Sequence, residues 1–257
     1  ERNYSVMLLQ TIQRQQKLLK AYTEHLENVT EGLDKFAYIV SHDLKAPLRA
    51  IGNLAEWVRE GIEEARYDEI PEQIGLLKRR IGRMENLIEG ILDYSRAGRE
   101  YAQQGRVDVR QMLKEIFDAQ HPDAALTIHW PDELPTFRTA HTALSQVFAN
   151  LISNAVKYGA TENPEVTIGF EDQAESPFYI FSVRDNGPGI DPKNHGRIFE
   201  IFTTLHSRDR YESSGVGLTI VKKIVTDMGG EISLESAPSA GACFTFTWPR
   251  VLNTGTA

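Results

Sequence analysis

Four short stretches carry residue types that can bind or move charge. In the helical stretch from Thr142 to Tyr158, Asn150, Asn154, Lys157 and Tyr158 recur at i, i+4, i+7 and i+8, so they share one face. An amide oxygen there suits Mg²⁺, which keeps several waters and takes few protein ligands, and a lysine suits phosphate. In DNGPGI, Asp185 to Ile190, the acid follows a strand-like run. Its carboxylate can accept from an exocyclic amine such as adenine offers, and Gly187 and Gly189 let the backbone approach a flat base. In SSGVGLTI, the run Ser214, Gly215, Val216, Gly217 and Leu218 opens a helical pattern, whose free N–H groups and dipole suit a phosphate chain. Between these two stretches lies TTLHSRDRYESS, a polar segment with His206, Arg208 and Arg210 that could fold over a ligand as a lid. Each stretch has an ordinary alternative: a solvated helix face, an Asn-Gly turn, a glycine pair, a surface loop.

The fifth stretch, SHDLKAPLRAI, sets His42 beside Asp43 in a helical pattern, with Pro47 five residues beyond the histidine. Proline has no N–H, so the carbonyl of Asp43 loses its helical partner and a bend is expected one turn after His42. A solvated surface histidine is the plain alternative. The apolar residues around it say more. Leu8, Ile12, Leu19, Tyr22, Leu26, Val29, Leu33, Phe36 and Val40 fall four and three apart once Gln15 fills its slot. That is a heptad seam over about 50 Å of helix, and it favours a two-chain coiled coil, with a helix packed within its own chain as the second reading. The step from Val40 to Leu44 is a second consecutive four, a stutter that locally unwinds such a seam, and His42 falls inside it. A second seam runs through Ile70, Ile74, Leu77, Ile81, Met84, Ile88 and Ile91. The polar connection GIEEARYDE between the seams predicts an antiparallel helical hairpin, and two hairpins, one per chain, make a four-helix bundle. A homodimer is therefore expected.

After the glycine-punctuated stretch SRAGREYAQQGR, which reads as a linker, the rhythm changes. VDV, ALTIHW, LPTFRT, EVTIGF, FYIFSVRD, GEISLES and CFTFTW are strand-like, while RQMLKEIFDAQ, TALSQVFANLISNAVKYG and GVGLTIVKKIVTDMGG are helical. That mixture predicts an α/β two-layer sandwich.

With 28 basic and 36 acidic residues among 257, the net charge of −8 argues against nonspecific nucleic-acid binding. The lone Cys243 permits no disulfide within one chain and suits a reducing, cytoplasmic compartment. No apolar run approaches the roughly 20 residues that span a bilayer. The chain opens without methionine and inside a helical pattern, so an N-terminal part is expected to be missing, and membrane attachment of the full-length protein stays open.

Together, SHDLKAPLRAI, NLISNAVKY, DNGPGI, RIFEIF and SSGVGLTIVKKIV follow the order and spacing of the sensor histidine kinases of two-component systems, which the chain resembles from about Leu26 onward. The first block and LHSRD look most like the phytochrome-type branch. The first seam is read as a coiled-coil signalling helix over 1–30, and the resemblance implies a dimerisation and histidine phosphotransfer domain over 31–97 and a catalytic domain over 105–251. The last is a sandwich of the histidine-kinase, chaperone and topoisomerase ATPase type. His42 matches the phosphorylated histidine and Asp43 the acid that orients or deprotonates it. Neighbours on a helix point about 100° apart, so local distortion or a rotamer choice must bring the two together. Asn154 matches the Mg²⁺-binding asparagine, with Asn150 beside it. Lys157 matches the phosphate-contacting lysine, Tyr158 the aromatic beside the nucleotide, and Asp185 the adenine-reading acid. Gly187, Gly189, Gly215 and Gly217 match the glycines of the two nucleotide boxes, and Phe199 and Phe202 the apolar block that anchors the lid. The implied activity is ATP-dependent phosphorylation of His42 and transfer to an aspartate of a response regulator, with ATP and Mg²⁺, under an upstream sensor domain.

Two positions depart from the family pattern. Ser213 stands where the second glycine box usually opens with glycine, which bears on lid mobility and ATP affinity. Ala46 stands where many members carry Thr or Asn to position water, so weak phosphatase activity is expected. These departures leave an ATP-binding pseudokinase scaffold as the rival reading. A chaperone- or topoisomerase-like ATPase is disfavoured because HTALSQVFANLISN has no glutamate before Asn150.

Overall fold

The computed structural model describes residues 2–96, 104–120, 126–159, 163–203 and 215–251. The chain divides into two compact units, 1–80 and 81–257.

The first unit is dominated by one helix, α1, Arg2–Glu63, which runs through Pro47. The proline removes one backbone bond without ending the helix, and its ring is buried. Along the first seam Leu19, Tyr22, Leu26 and Leu33 stay outward, Leu19 66% and Leu33 63% exposed, while Phe36 and Val40 are half-buried. The positions of Leu8, Ile12 and Val29 in that seam lie outside the described side chains. Nearer its C-terminal end α1 buries Leu54 and Gly61.

The helix stops by a paired-bond cap. Arg66 N–H donates to the Gly61 carbonyl at 2.7 Å and Ala65 N–H to that of Ile62 at 3.3 Å. This is the two-bond arrangement that helices usually close with a left-handed glycine, but here Ala65 takes that place at φ 58°. A short 3₁₀ turn, Tyr67–Glu69, leads into α2, Ile70–Arg96, with Pro71 in its first turn, where a missing N–H costs nothing. The seam of α2 is uneven. Ile74, Ile81 and Ile88, seven residues apart, are 40–42% exposed, whereas Ile70, Leu77, Met84 and Ile91 are half-buried.

The second unit holds the rest of α2 and the sandwich. Its sheet has the order β2-β4-β5-β7-β6, with β2 (Thr127–His129), β4 (Glu165–Glu171), β5 (Phe178–Asp185), β6 (Ile232–Ser236) and β7 (Ala242–Pro249). Among the described residues, only β2 and β4 pair in parallel. Two further strands, β1 (Gln104–Asp108) and β3 (Thr136–Ala140), form an antiparallel pair. Among the described residues, the helices α3 (Val109–Gln120), α4 (His141–Tyr158) and α5 (Gly217–Asp227) complete the layer. In α4, Leu144, Val147, Phe148, Leu151, Ile152 and Ala155 recur at helical spacing and are all buried. Phe148 meets Phe181 of β5 and Phe246 of β7 edge-on, with ring centroids 5.5 and 5.3 Å apart. Trp248 Nε1–H donates to Thr139 Oγ1 at 2.8 Å, a fully buried bond that ties β7 to β3.

Two expectations need correcting. The linker reading of residues 95–106 overshoots, because α2 continues through Ser95 and Arg96 and β1 begins at Gln104. Gln104-Gly105-Arg106 has no strand composition. Its pairing with Ala140, Thr139 and Arg138 of β3 makes it a strand, and no local pattern reveals that. VDV also divides, since Val109 already belongs to α3.

Candidate functional site

The sandwich segments that carry the chemistry converge on one cavity of about 290 Å³. From α4 it is lined by Asn150, Ser153, Asn154, Lys157 and Tyr158. These residues occupy the face opposite the apolar stripe, so the burial of Phe148, Leu151 and Ile152 dictates where the polar ones point. From the end of β5 and the turn after it come Asp185, Pro188, Gly189 and Ile190. From the start of α5 come Gly215, Val216, Gly217 and Leu218. Ser153, Ile198, Thr203, Ile220, Ala242 and Phe244 also line it, none of them singled out from sequence, and α2 adds Asn86, Glu89 and Asp93. The apolar members sit inside longer core patterns, so nothing local marks them.

Asp185 has one oxygen committed. Oδ1 accepts from Gly187 N–H at 2.9 Å and from Ala242 N–H at 3.2 Å. Burial pushes its carboxyl above the ordinary carboxylate range, and those two N–H groups and Arg184 pull the other way without cancelling the effect. Oδ2 makes neither bond and remains as an acceptor at the cavity wall. Asn186 braces the other side: its Oδ1 accepts from Glu165 N–H at 3.0 Å and its Nδ2 donates to the Asn163 carbonyl at 2.9 Å.

Gly187 packs against protein backbone. It is absent from the cavity lining, and a Cβ there would stand 2.6 Å from the Tyr158 carbonyl oxygen. Gly189, at φ 72°, does line the cavity, yet its tightest neighbour is the Ala237 carbonyl, 1.9 Å from where a Cβ would sit. The glycines are needed because backbone packs on backbone.

At the opposite wall, Asn150 Nδ2 donates to the Gln146 carbonyl at 2.9 Å. Its Oδ1 lies 2.8 Å from the place a Cβ on Gly217 would take, so α4 and the first turn of α5 touch there. Thr219 Oγ1 donates to the Phe199 carbonyl at 3.1 Å, and Phe199 stands edge-on to Phe244. Phe202 is buried, and its Cα lies 2.9 Å from a Cβ built on Gly215, which has φ 67°. His206, Arg208, Arg210, Ser213 and Ser214 lie outside the described residues.

The side chains of Asn154 and Lys157 make no hydrogen bond or ion pair among the described residues. The Asn154 amide oxygen, on a cavity with space for water, is a donor of the kind Mg²⁺ accepts, since that ion keeps several waters and takes few protein ligands.

In α1 the side chains of His42 and Asp43 meet, Nδ1 to Oδ1 at 2.9 Å. The helix is unbroken there, so rotamer choice closes the angle between neighbours. His42 is 72% exposed, and Asp43 is 29% exposed. A carboxylate only accepts, so Nδ1–H is the donor in this contact, and in the neutral ring the lone pair then belongs to Nε2. Ala46 is exposed one turn on.

Comparisons with known proteins follow the same division. Residues 33–100 match the His Kinase A (phospho-acceptor) domain, and residues 139–252 match the histidine kinase-, DNA gyrase B- and HSP90-like ATPase family. The phytochrome-like protein Cph1 of Synechocystis is 34% identical over 94% of this chain and 32% of its own length. The chain thus spans about a third of the length of the curated relatives it matches. The structure of full-length ShkA in complex with AMPPNP superposes with a TM-score of 0.56 at 26% identity, over 72% of this chain and 39% of that one. ThkA in complex with the response regulator TrrA shares the fold, with a TM-score of 0.58 at 21% identity over 86% of this chain and 62% of that one. No helix among the described residues is long and apolar enough to cross a membrane.

Proposed function

The chain belongs to the sensor histidine kinases, and we propose that it phosphorylates His42 from ATP and hands the phosphoryl group to an aspartate of a response regulator. One observation carries this reading: Asn150, Asn154, Lys157, Asp185 and the start of α5 line a single cavity. Asp185 Oδ2 accepts from the exocyclic amine of adenine, Tyr158 lies beside the nucleotide, and Lys157 meets phosphate. The N–H groups at Gly215 and Gly217 face the phosphate chain. Asn154 is the ligand offered to Mg²⁺, which when bound spreads charge on the phosphates.

The nucleophile is Nε2 of His42. Its lone pair attacks the γ-phosphorus in line, the bond from phosphorus to the β–γ bridging oxygen breaks, and ADP leaves. Asp43 stabilises the positive charge that grows on the ring and draws off the Nδ1 proton as the N–P bond forms. Positioning and electrostatics supply most of the rate. The N–P bond is reactive enough to pass its phosphoryl group to a receiver aspartate. A receiver partner finds support in the complex of ThkA with the response regulator TrrA.

A homodimer is supported by the exposed row Ile74, Ile81 and Ile88, which recurs every seven residues as a bundle interface requires. We assign residues 1–30 to the signalling coiled coil, 31–97 to dimerisation and phosphotransfer, and 105–251 to nucleotide binding, in a cytoplasmic setting with a sensor domain upstream. The test is label transfer from γ-labelled ATP with Mg²⁺, in this chain and in His42→Gln. Acid-labile, base-stable label that the variant lacks is the expected result. ATP bound tightly with no label in either protein would refute phosphotransfer and leave a scaffold.

A further inference from the structure

Behind the nucleotide cavity, two turns are zipped together. One is the turn after β5, Asn186 to Ile190, and the other is the turn joining β6 to β7, Ala237 to Gly241. Ser239 N–H donates to the Pro188 carbonyl at 2.6 Å, and Gly241 N–H donates to that of Gly187 at 3.1 Å. The backbones touch so closely that a Cβ on Gly189 would meet the Ala237 carbonyl, and one on Gly241 would lie 2.0 Å from the Asp185 carbonyl. One side chain bridges the pair. Ser236 Oγ–H donates to the Gly241 carbonyl at 2.6 Å, while the same oxygen accepts from Ile190 N–H at 2.8 Å. Ser236 does not line the cavity, but both segments it holds do, through Ile190 and Ala242.

Ala242 matters because its N–H is one of the two that hold Asp185 Oδ1. The carbonyl gripped by Ser236 belongs to the residue just before it. A shift of this turn therefore moves the donor that orients the carboxylate. The second grip, on Ile190, fixes the far end of the glycine turn, where His195 Nε2 also meets the Ile190 carbonyl at 3.1 Å.

We propose that Ser236 is a positioning residue for base recognition: by bridging Ile190 and Gly241 it holds Ala242 against Asp185 and so sets the direction of the free carboxylate oxygen toward the adenine amine. This inference rests on the reading of Asp185 as the residue that recognises the base. A hydroxyl that merely closed the β6–β7 turn would affect stability alone. A positioning hydroxyl affects discrimination between bases, because adenine offers an amine where guanine offers a carbonyl.

The test titrates ATP and GTP, each with Mg²⁺, into the whole chain and measures the ATP dependence of autophosphorylation. Ser236→Ala should weaken ATP binding roughly tenfold, the size of one lost buried hydrogen bond. It should weaken GTP far less, so the ATP-over-GTP preference falls, and KM for ATP should rise while kcat at saturation holds. Ser236→Thr, which keeps the hydroxyl, should restore the preference. Ser236→Cys, similar in shape but a weak donor, should reproduce the alanine result and serves if the alanine variant does not fold. Ser233→Ala, on the same strand with its hydroxyl 3.4 Å from the Thr245 carbonyl, should leave the preference unchanged. An unaltered ATP-over-GTP ratio in Ser236→Ala and Ser236→Cys would overturn the proposal, whatever happened to their melting temperatures. If the unaltered chain bound neither nucleotide, the kinase reading itself would fall, and this inference with it.

Discussion

The long helices α1 and α2 and the sandwich handle the same kind of apolar side chain in opposite ways. In the sandwich, Phe148, Phe181, Phe246 and Trp248 are completely shielded by the chain's own α4, β5 and β7. In α1 and α2, Leu19, Leu33, Leu48, Trp57, Ile74, Ile81 and Ile88 keep between 40% and 66% of their surface in water. A domain that closes its own core can hold a binding site rigidly. A helix pair whose stripe remains open depends on another surface to cover it, and that surface can shift. The division suits a molecule in which one part grips a nucleotide and the other part responds to a signal.

The contrast makes its largest prediction in the core. Phe181→Ala should destabilise the sandwich by about 3–5 kcal/mol. The loss should be the same at every protein concentration in denaturant titrations followed by tryptophan fluorescence, because the chain itself supplies that core. Ile81→Asp should instead leave the sandwich's transition in place and weaken self-association, by about 3 kcal/mol or more than a hundredfold. Sedimentation across a dilution series reads this directly. A variant that remains dimeric, or whose sandwich melts early, would erase the distinction drawn between the two regions.

Asp185→Asn sharpens the comparison from the rim of the closed domain. The amide keeps an oxygen for Gly187 and Ala242 but turns a donor toward the adenine amine. Binding of ATP should fall by about 1.5–3 kcal/mol, roughly ten- to a hundredfold, in calorimetry. Stability should move the other way. The folded-state pKa of Asp185 lies above its ordinary value because of burial, so its contribution to stability is fully present below the unfolded carboxylate pKa and is lost as pH rises through the folded one. At neutral pH the ionised group costs stability, and the asparagine variant should melt higher than the parent while binding less. Below the unfolded carboxylate pKa that advantage should vanish. A variant that melts lower at neutral pH would contradict this account of the site.

The smallest effect belongs to the hairpin. Ala65 sits at φ 58°, in the left-handed region that costs a side chain about 1–2 kcal/mol. Ala65→Gly relieves that strain but loosens the unfolded chain, so a gain of about 1 kcal/mol or less is expected in thermal melts. It should appear in the helical transition and not in the sandwich's.

Much of this molecule was readable before any fold was known, because its helices obey periodicity. The seams through α1 and α2, the buried stripe of α4 and the polar face of Asn150, Asn154, Lys157 and Tyr158 all follow from a 3.6-residue repeat, which is a local property. Glycine placement was likewise legible, though its reason was not. Gly187 and Gly189 answer to Tyr158 and Ala237, residues remote in sequence that only chain folding brings within 2.6 and 1.9 Å of an added Cβ. The strand at Gln104 exists because β3 is there to pair with it. Ser236 carries no mark of its importance in a stretch that reads as an ordinary strand end. Its two partners come from different turns, and no pattern along the chain encodes a hydrogen bond between segments that meet only once the sheet has formed. The sequence by itself thus determined which faces are apolar and which residue types could do chemistry. Tertiary structure decided which backbone groups hold those residues in place, since long-range pairing is a property of the assembled sheet and not of any single strand.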